Sequence, residues 1–255
     1  MYQDYDAAGQ VISQSLIGDH DKTNLSYTYY PDGNIKTYFD GISNHTYTYD
    51  FAGRLDTWTY NGNTVQYQYD KSGNLLNPNG KSLSFNSANE VEGYNYDLAG
   101  NLLQDDKHNY NWDGEDQLLS VKDFNGQTKA SFTYHPNGLR KTKYVGSKIY
   151  NYHYDDSDLI RVTDGSGKTI WSFTWNNGDP ISLTNQNGET FFYMTNQRGD
   201  VVSIVDSNGA EVASYSYDPW GNLTSVEPTD PRTERTCRNW LLRRSYSNWI
   251  FAPAV

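Results

Sequence analysis

The sequence predicts an all-β protein, a long antiparallel meander of hairpins that forms a curved, spiralling sheet. Three observations predict it: aromatic and polar residues alternate, a turn motif recurs about every twenty residues, and tyrosine is abundant. The chain of 255 residues contains 23 Tyr, 7 Trp and 9 Phe but only 2 Met. Aromatic rings must therefore provide most of the buried surface, and such residues favour strands. No helical periodicity is visible before residue 232.

Short segments of the chain alternate strictly between aromatic and polar residues. Clear examples are residues 46–49, 65–69, 150–154, 171–175 and 213–217. A period of two is that of a half-buried strand, because successive side chains point to opposite faces of a sheet. We therefore expect the Tyr side chains of successive strands to stack into a ladder on one face.

A turn motif follows these segments: an aromatic residue, Asp, two variable residues, Gly, then Asn or Arg and an aliphatic residue. The clearest copies contain Tyr5, Asp6 and Gly9; Tyr49, Asp50 and Gly53; Tyr69, Asp70 and Gly73; Tyr96, Asp97 and Gly100; and Tyr217, Asp218 and Gly221. Degenerate copies replace the Asp, at Tyr29 with Gly33 and Tyr134 with Gly138, or the Gly, at Trp112-Asp113 with Asp116 and Tyr154-Asp155 with Asp158. These residues are the predicted structural repeat sites.

The motif residues have the properties of a tight chain reversal. Asp can accept hydrogen bonds from backbone N–H groups a few residues later, and Gly adopts positive φ without steric cost. Further turn signals lie between the motifs, at Asn61-Gly62, Asn79-Gly80, Asn125-Gly126, Asn187-Gly188 and Asn208-Gly209. Asn-Gly is the dipeptide most favoured in two-residue hairpin loops. With two turns per unit, we expect strands of roughly 6–8 residues.

The repeats divide the chain into two parts. Residues 1–226 contain about ten hairpin units, and residues 227–255 form a tail without repeats in which Arg is frequent and the only Cys, Cys237, occurs. One interpretation of the tail is a basic amphipathic helix or membrane-surface anchor. We favour a frameshift product or a disordered tail, because reading Leu241-Leu242-Arg243-Arg244 one base later gives Tyr-Tyr-Asp-Glu with suitable codons.

The repeats resemble the YD repeats of the Rhs family, which includes bacterial polymorphic toxins, insecticidal toxin-complex subunits and animal teneurins. The most specific stretch comprises residues 191–193, 198–202, 206–209 and 213–222. The resemblance implies a β-sheet shell that encloses a C-terminal toxin for delivery to neighbouring cells. The family's D-P-x-G-L motif, linked to self-cleavage, is incomplete here, since Asp218-Pro219-Trp220-Gly221 is not followed by Leu. We therefore carry over no catalytic residue.

Charge and composition limit the partners and the compartment. The formal net charge of −11 and the pI near 4.8 disfavour nucleic acid. No apolar stretch is long enough to span a bilayer, and we expect no export signal in this chain. A single Cys excludes an internal disulfide framework. The resemblance implies a parent that is secreted or attached to the cell wall, with the rest of the shell and its toxin as partners.

Other motifs favour ordinary structural roles. Gly165-Ser166-Gly167-Lys168 is followed by a strand-like segment rather than the helix of a phosphate-binding loop. Arg198-Gly199-Asp200, the tripeptide that integrins bind, falls on a predicted turn. The five histidines have no metal-ligand spacing. We expect no cofactor, no metal and no enzymatic activity. The alternative function is a carbohydrate-binding or adhesion module that uses the aromatic face, with cell-surface glycans as partners.

Overall fold

A computed structural model describes residues 2–15 and 24–228 of the chain, together with the backbone of residues 242–245 and 248–251. The described chain is almost entirely strand and turn, which confirms the predicted fold class. Its one helical element is a 3₁₀ turn at Pro78–Gly80. No helix in this part of the chain is long and apolar enough to cross a membrane.

The strands are four to eight residues long over most of the chain. The first group consists of β1 (Tyr2–Tyr5), β2 (Val11–Ser15), β3 (Asn24–Tyr29), β4 (Ile35–Phe39), β5 (Asn44–Tyr49), β6 (Leu55–Tyr60) and β7 (Asn63–Gln66). The second group consists of β8 (Asn95–Tyr96), β9 (Leu102–Gln104), β10 (Asn109–Trp112), β11 (Leu118–Lys122), β12 (Thr128–Tyr134), β13 (Arg140–Val145), β14 (Lys148–Asp155), β15 (Asp158–Thr163) and β16 (Thr169–Asn176). The remaining strands are β17 (Asp179–Asn185), β18 (Thr190–Thr195), β19 (Val201–Val205), β20 (Glu211–Tyr217), β21 (Leu223–Pro228), β22 (Leu242–Ser245) and β23 (Asn248–Phe251).

The contacts of the chain divide it into two compact units. The first unit contains residues 1–68, 179–182 and 190–254, and the second contains residues 69–178 and 183–189. In the first unit β1 to β7 pair in sequence order, and so do β18 to β21. In the second unit β8 to β16 pair in sequence order. Each pair for which a register is known is antiparallel, as a meander requires.

The buried face of each unit is largely aromatic and aliphatic, in the alternating pattern that the sequence predicts. In β3 the exposed and buried residues alternate strictly up to Thr28. Tyr27, Tyr38 and Tyr47 retain only 4–5% of their accessible surface, and Val162 and Ile204 retain none. Every second side chain of a strand therefore points to the same face of the sheet, and these side chains form the core.

Between residues 69 and 94 the meander is reduced to short antiparallel bridges. This segment contains two isolated bridges, Tyr69 to Leu75 and Phe85 to Val91, and the 3₁₀ turn, but no extended strand. Pro78 explains the interruption in part, because proline cannot donate a ladder hydrogen bond. The Asn79-Gly80 pair, expected to form a two-residue hairpin loop, lies in the 3₁₀ turn.

Most of the tail lies outside the described residues, and so does Cys237. Within the tail, β22 and β23 pair as an antiparallel hairpin. These eight residues are therefore strand rather than the amphipathic helix of the alternative interpretation. The frameshift hypothesis and the boundary at residue 226 remain predictions.

Candidate functional site

The turn motif folds into one hairpin geometry, seen clearly at Asp50. Its backbone N–H donates to the carbonyl oxygen of Arg54 at 2.8 Å, and the N–H of Gly53 donates to the carbonyl oxygen of Asp50 at 2.9 Å. Gly53 has φ of 75°, and the strand register shifts by one residue at this turn. The loop is thus a type I turn that ends in a bulge with left-handed Gly.

The Asp side chain stabilises this turn by accepting hydrogen bonds from its backbone. Oδ1 of Asp50 accepts the backbone N–H groups of Ala52 and Arg54, both at 2.9 Å. The Arg54 side chain, together with these N–H groups, holds the pKa of Asp50 below its ordinary value. The two hydrogen bonds that one side-chain oxygen accepts explain why Asp or Asn is favoured directly after the motif aromatic.

The same pair of side-chain hydrogen bonds recurs along the chain. It is made by Asp6, Asn86, Asp97, Asp113, Asp123, Asp164, Asn185, Asn196, Asp206 and Asp218. Asp70 accepts the N–H of Asn74 in the same way. At the degenerate copies, Tyr30 and His135 replace the Asp, and Asp32 and Asn137 accept the N–H two residues later instead. Asp and Asn are therefore interchangeable here, because both present an acceptor oxygen.

Two groups of predicted turns differ from expectation. Asn125-Gly126, Asn187-Gly188 and Asn208-Gly209 are not two-residue loops but the second half of Asx turns that begin at Asp123, Asn185 and Asp206. Asn61-Gly62 is a two-residue loop, with φ of 50° and 75°. Tyr154-Asp155 is followed by a two-residue loop rather than the motif turn, because Asp155 pairs directly with Asp158 across the hairpin.

We call the aromatic residue directly before a motif turn the motif aromatic. At several turns its side chain donates a hydrogen bond to a backbone carbonyl just after the preceding turn. The hydroxyl of Tyr49 donates to the carbonyl oxygen of Ile35, at 2.9 Å. Ile35 is the aliphatic residue that ends the previous motif. The same relationship joins Tyr134 to Leu118, Tyr217 to Val201 and, through the indole N–H, Trp112 to Leu102. Phe could not make this bond at these positions, since it lacks a side-chain donor.

A separate aromatic ladder fills the buried face of β3 to β6. It consists of Tyr27, Tyr38, His45, Tyr47, Trp58 and Tyr60. The rings of Tyr27 and Tyr38 stack at 5.0 Å with 12° between their planes, and those of His45 and Trp58 stack at 5.9 Å. The motif residues Tyr29 and Tyr49 are not part of this ladder. Apart from Tyr60, which ends β6, the ladder residues lie within strands, whereas Tyr29 and Tyr49 lie at strand ends.

His45 is a ladder member that the sequence analysis did not identify. It is 2% exposed, its Nε2 lies 3.0 Å from Oδ2 of Asp40, and its Nδ1 accepts the indole N–H of Trp58 at 3.0 Å. The Trp58 bond fixes the neutral tautomer with the proton on Nε2. The sequence did contain an indication of this position, since His45 alternates with Tyr47 and Tyr49.

The turn at residues 196–200, here named the closing turn, contacts the ladder strands of its own unit. The hydroxyl of Tyr29 lies 2.5 Å from both the carbonyl oxygen of Val11 and Oε1 of Gln197. The backbone N–H of Gln197 donates to the Tyr27 hydroxyl at 3.3 Å. These contacts join residues about 170 positions apart. The closing turn therefore fixes β18 and β19 against the first strands of the chain.

Arg198 belongs to the same contact. Its guanidinium lies 6.0 Å from the centre of the Tyr38 ring, and its Nε lies 3.2 Å from Oδ2 of Asp200. Burial raises the pKa of Tyr47 to about 12 despite the opposing charge of Arg198, so the rings beneath Arg198 remain neutral. Gly199 has φ of 83°. The Arg-Gly-Asp tripeptide is thus part of a structural turn packed on aromatic rings.

Within residues 2–15 and 24–228, no three His, Cys, Asp or Glu side chains cluster in a way that could hold a metal ion. The described side chains stabilise the fold in three ways. Carboxylates accept backbone hydrogen bonds within turns, phenol hydroxyls donate to backbone carbonyls of neighbouring strands, and aromatic rings pack on the buried face. The predicted motif residues lie along the turns and strand ends of this assembly rather than in one pocket.

Known proteins with similar sequences agree with this arrangement. Residues 1–230 match the family model described as Teneurin YD-shell. The tRNA nuclease WapA of Bacillus subtilis strain 168 is 33% identical over 186 residues, which is 66% of this chain and 8% of that protein. The tRNA(Glu)-specific nuclease WapA of B. subtilis subsp. natto is 34% identical over 158 residues, or 58% of this chain and 7% of that protein. This chain thus spans less than a tenth of these relatives.

Two solved structures align with most of this chain and with a small part of their own. The Photorhabdus luminescens Tc holotoxin pore aligns with 89% of this chain and 17% of its own, at 15% identity and a TM-score of 0.39. The TcdB2-TccC3-Cdc42 structure aligns with 90% of this chain and 17% of its own, at the same identity and TM-score. On the evidence of its turns and of the match over residues 1–230, the chain belongs to the Teneurin YD-shell family of YD-repeat proteins.

Proposed function

We propose that this chain is a wall segment of an Rhs-type shell that encloses a C-terminal toxin for delivery to neighbouring cells. The family match and the similarity to the nuclease WapA support a shell role. The observation that carries the proposal is the hydrogen bond from a motif aromatic to the strand after the preceding turn, made by Tyr29, Tyr49, Trp112, Tyr134 and Tyr217. This bond suits a wall, because it fixes one hairpin unit to the unit before it.

The segment itself has no enzymatic activity in this proposal. The described residues contain turns, ladders and strand pairs, and the activity named in the WapA relatives belongs to proteins more than ten times longer than the matched region. The parent protein is secreted or attached to the cell wall, with the remaining shell and the toxin as partners.

The burial of the aromatic ladder favours a wall over a carbohydrate-binding surface. A glycan-binding face requires aromatic rings that are open to solvent, whereas Tyr27, Tyr38 and Tyr47 are at most 5% exposed. Their ring partners lie within the protein. A glycan array with the purified chain tests this alternative, and saturable binding that is lost in Tyr→Ala variants of one face would favour it.

Limited proteolysis of the complete parent protein tests the shell proposal. We expect the C-terminal domain of the parent to resist protease while the shell is intact. Replacing Gly53 by Val, which strains a wall turn, is expected to increase cleavage of that domain, and replacing Gly114 by Val, where φ is not positive, is the matched control. Equal cleavage of the C-terminal domain in the parent and in the unfolded protein would contradict enclosure.

A further inference from the structure

Asn-Gly pairs of this chain lie in two kinds of turn. Asn61-Gly62 is a complete two-residue loop between β6 and β7, closed by the pairing of Tyr60 with Asn63. Longer turns, which begin at an Asp or Asn two residues earlier, contain the pairs Asn125-Gly126, Asn187-Gly188 and Asn208-Gly209. The same dipeptide therefore occurs in two different hydrogen-bonding environments.

In the longer turns both backbone N–H groups of the pair donate hydrogen bonds. The N–H of Asn125 donates to Oδ1 of Asp123, and the N–H of Gly126 donates to the carbonyl oxygen of Asp123, each at 3.0 Å. The N–H of Gly188 and that of Gly209 donate in the same way, also at 3.0 Å. The glycine nitrogen of a longer turn is therefore directed at an oxygen atom three residues earlier and away from the Asn side chain.

The Asn61-Gly62 loop differs in these contacts. Within residues 2–15 and 24–228, neither the N–H of Gly62 nor the side-chain amide of Asn61 has a hydrogen-bond partner. Both residues are exposed, and a Cβ placed on Gly62 would meet no atom within 4 Å. The side chain of Asn61 and the nitrogen of Gly62 are therefore adjacent along the chain, open to water and free of competing bonds.

We propose that Asn61 is a site of spontaneous deamidation in the folded protein. Hydroxide removes the proton from the backbone nitrogen of Gly62, and this nitrogen attacks Cγ of Asn61. The new N–Cγ bond closes a succinimide ring, and the side-chain nitrogen takes a proton from water and leaves as ammonia. Water then opens the ring at either carbonyl carbon, which gives aspartate or isoaspartate. Glycine favours ring closure because it has no Cβ to hinder the attack.

Isoaspartate at position 61 would disturb the strands that the loop joins. It adds one atom to the main chain of a loop that the pairing of Tyr60 with Asn63 closes tightly. The next pair, Thr59 with Thr64, is joined by a hydrogen bond between hydroxyls at 2.8 Å. We expect amide hydrogen exchange in β7 to be about fivefold faster in the isoaspartate form. This inference does not depend on the proposed shell function.

Incubation of the full chain in mildly alkaline buffer, followed by trypsin digestion and tandem mass spectrometry, tests the proposal. Asn61 lies in the tryptic peptide of residues 55–71, and Asn125 is the only Asn in the peptide of residues 123–129. We expect Asn61 to convert at least about tenfold faster than Asn125, because Asn125 reacts only after two hydrogen bonds have opened. Methylation by a protein-isoaspartate methyltransferase measures the isoaspartate fraction.

The same incubation in concentrated urea shows whether the fold causes the difference. Both pairs are Asn-Gly, so we expect their rates to become similar once the turns have unfolded. A tenfold difference that persists in urea would assign it to the neighbouring residues rather than to the hydrogen bonds, and would contradict the explanation.

Two variants at one position isolate the protecting bond. Asp123→Ala removes the side-chain acceptor and is expected to accelerate the conversion of Asn125 about fivefold. Asp123→Asn is the matched control and is expected to keep the native rate, because Asn185 makes the same bonds at the equivalent position. The proposal is overturned when Asn61 and Asn125 convert equally fast in the folded native chain, a comparison that needs no variant to fold. Equal rates for the two Asp123 variants would overturn the protecting role of the hydrogen bond.

Discussion

The side-chain hydroxyl of Tyr49 donates to the carbonyl oxygen of Ile35, the first residue of the strand that follows the preceding motif turn. Removing this hydroxyl leaves the carbonyl without its phenol donor and keeps the ring in place. We expect Tyr49→Phe to lower the free energy of unfolding by about 1 kcal/mol. Urea denaturation measures the change. Tyr144→Phe, at an exposed strand position, is the matched control and is expected to have no comparable effect.

The left-handed turn position gives a second prediction. Gly53 has φ of 75°, and a Cβ placed there meets no atom within 4 Å, so substitution costs backbone strain alone. We expect Gly53→Ala to destabilise the protein by about 1 kcal/mol. Gly53→Asn is expected to cost less, because Asn89 and Asp116 occupy the same position with φ of 62° and 59°. Gly114→Ala, where φ is not positive, is the control, and an equal loss there would contradict the explanation.

The turn carboxylates make the free energy of unfolding depend on pH. The side chain of Asn101, with the N–H groups of Asn101 and Ala99, holds the pKa of Asp97 below its ordinary value of 3.8. A carboxyl group with a lowered pKa stabilises the folded state above the unfolded pKa, and this stability is lost as pH falls through the folded value. We therefore expect denaturant stability to fall below about pH 4.

A substitution isolates this contribution. Asn fills the same turn position at residues 86 and 185 with the same side-chain hydrogen bonds, so Asp97→Asn is expected to keep the turn. Its stability is expected to fall less steeply with acid than that of the native chain. Asp179→Asn, at the start of β17, is the comparison variant. If the stability of Asp97→Asn decreased with falling pH as steeply as that of the native chain, the Asp97 carboxylate would be ruled out as a source of the pH dependence.

The closing turn gives a fourth prediction. Gln197 contacts the hydroxyl of Tyr29 through its side chain and that of Tyr27 through its backbone N–H. Replacing Gln197 by Ala removes the first contact, and we expect amide hydrogen exchange in β3 to accelerate about fivefold. Asn208→Ala, in a turn of the same type, is the matched control. Exchange in β3 that responds equally to both variants would show that the contact does not hold the strands.

The turns were predictable from the sequence because their chemistry is local. Asp50 and Gly53 are three residues apart and determine one hairpin, whatever lies across the sheet. The Asn125-Gly126 pair was misassigned because Asp123, two residues earlier, offers a better acceptor and creates a longer loop. Local patterns therefore identify a reversal more reliably than its length.

The contacts between distant parts of the chain were not predictable in this way. The Tyr29–Gln197 contact joins residues 168 positions apart, and no periodicity indicates which turn meets which strand. His45 was not predicted for a related reason. A histidine that alternates with tyrosines is classed as a polar residue until the residues packed around it are known.

The hydrogen bond from motif aromatics such as Tyr49 and Tyr217 back to the strand after the previous turn limits how such a chain can change in length. Deleting one strand would turn its neighbours to the wrong face, and deleting half a hairpin would leave a phenol without its carbonyl. Whole hairpins are therefore the smallest pieces that can be gained or lost without repair elsewhere. A gene that encodes such repeats would grow in steps of about twenty codons, and the volume enclosed by the proposed shell would change in equally discrete steps.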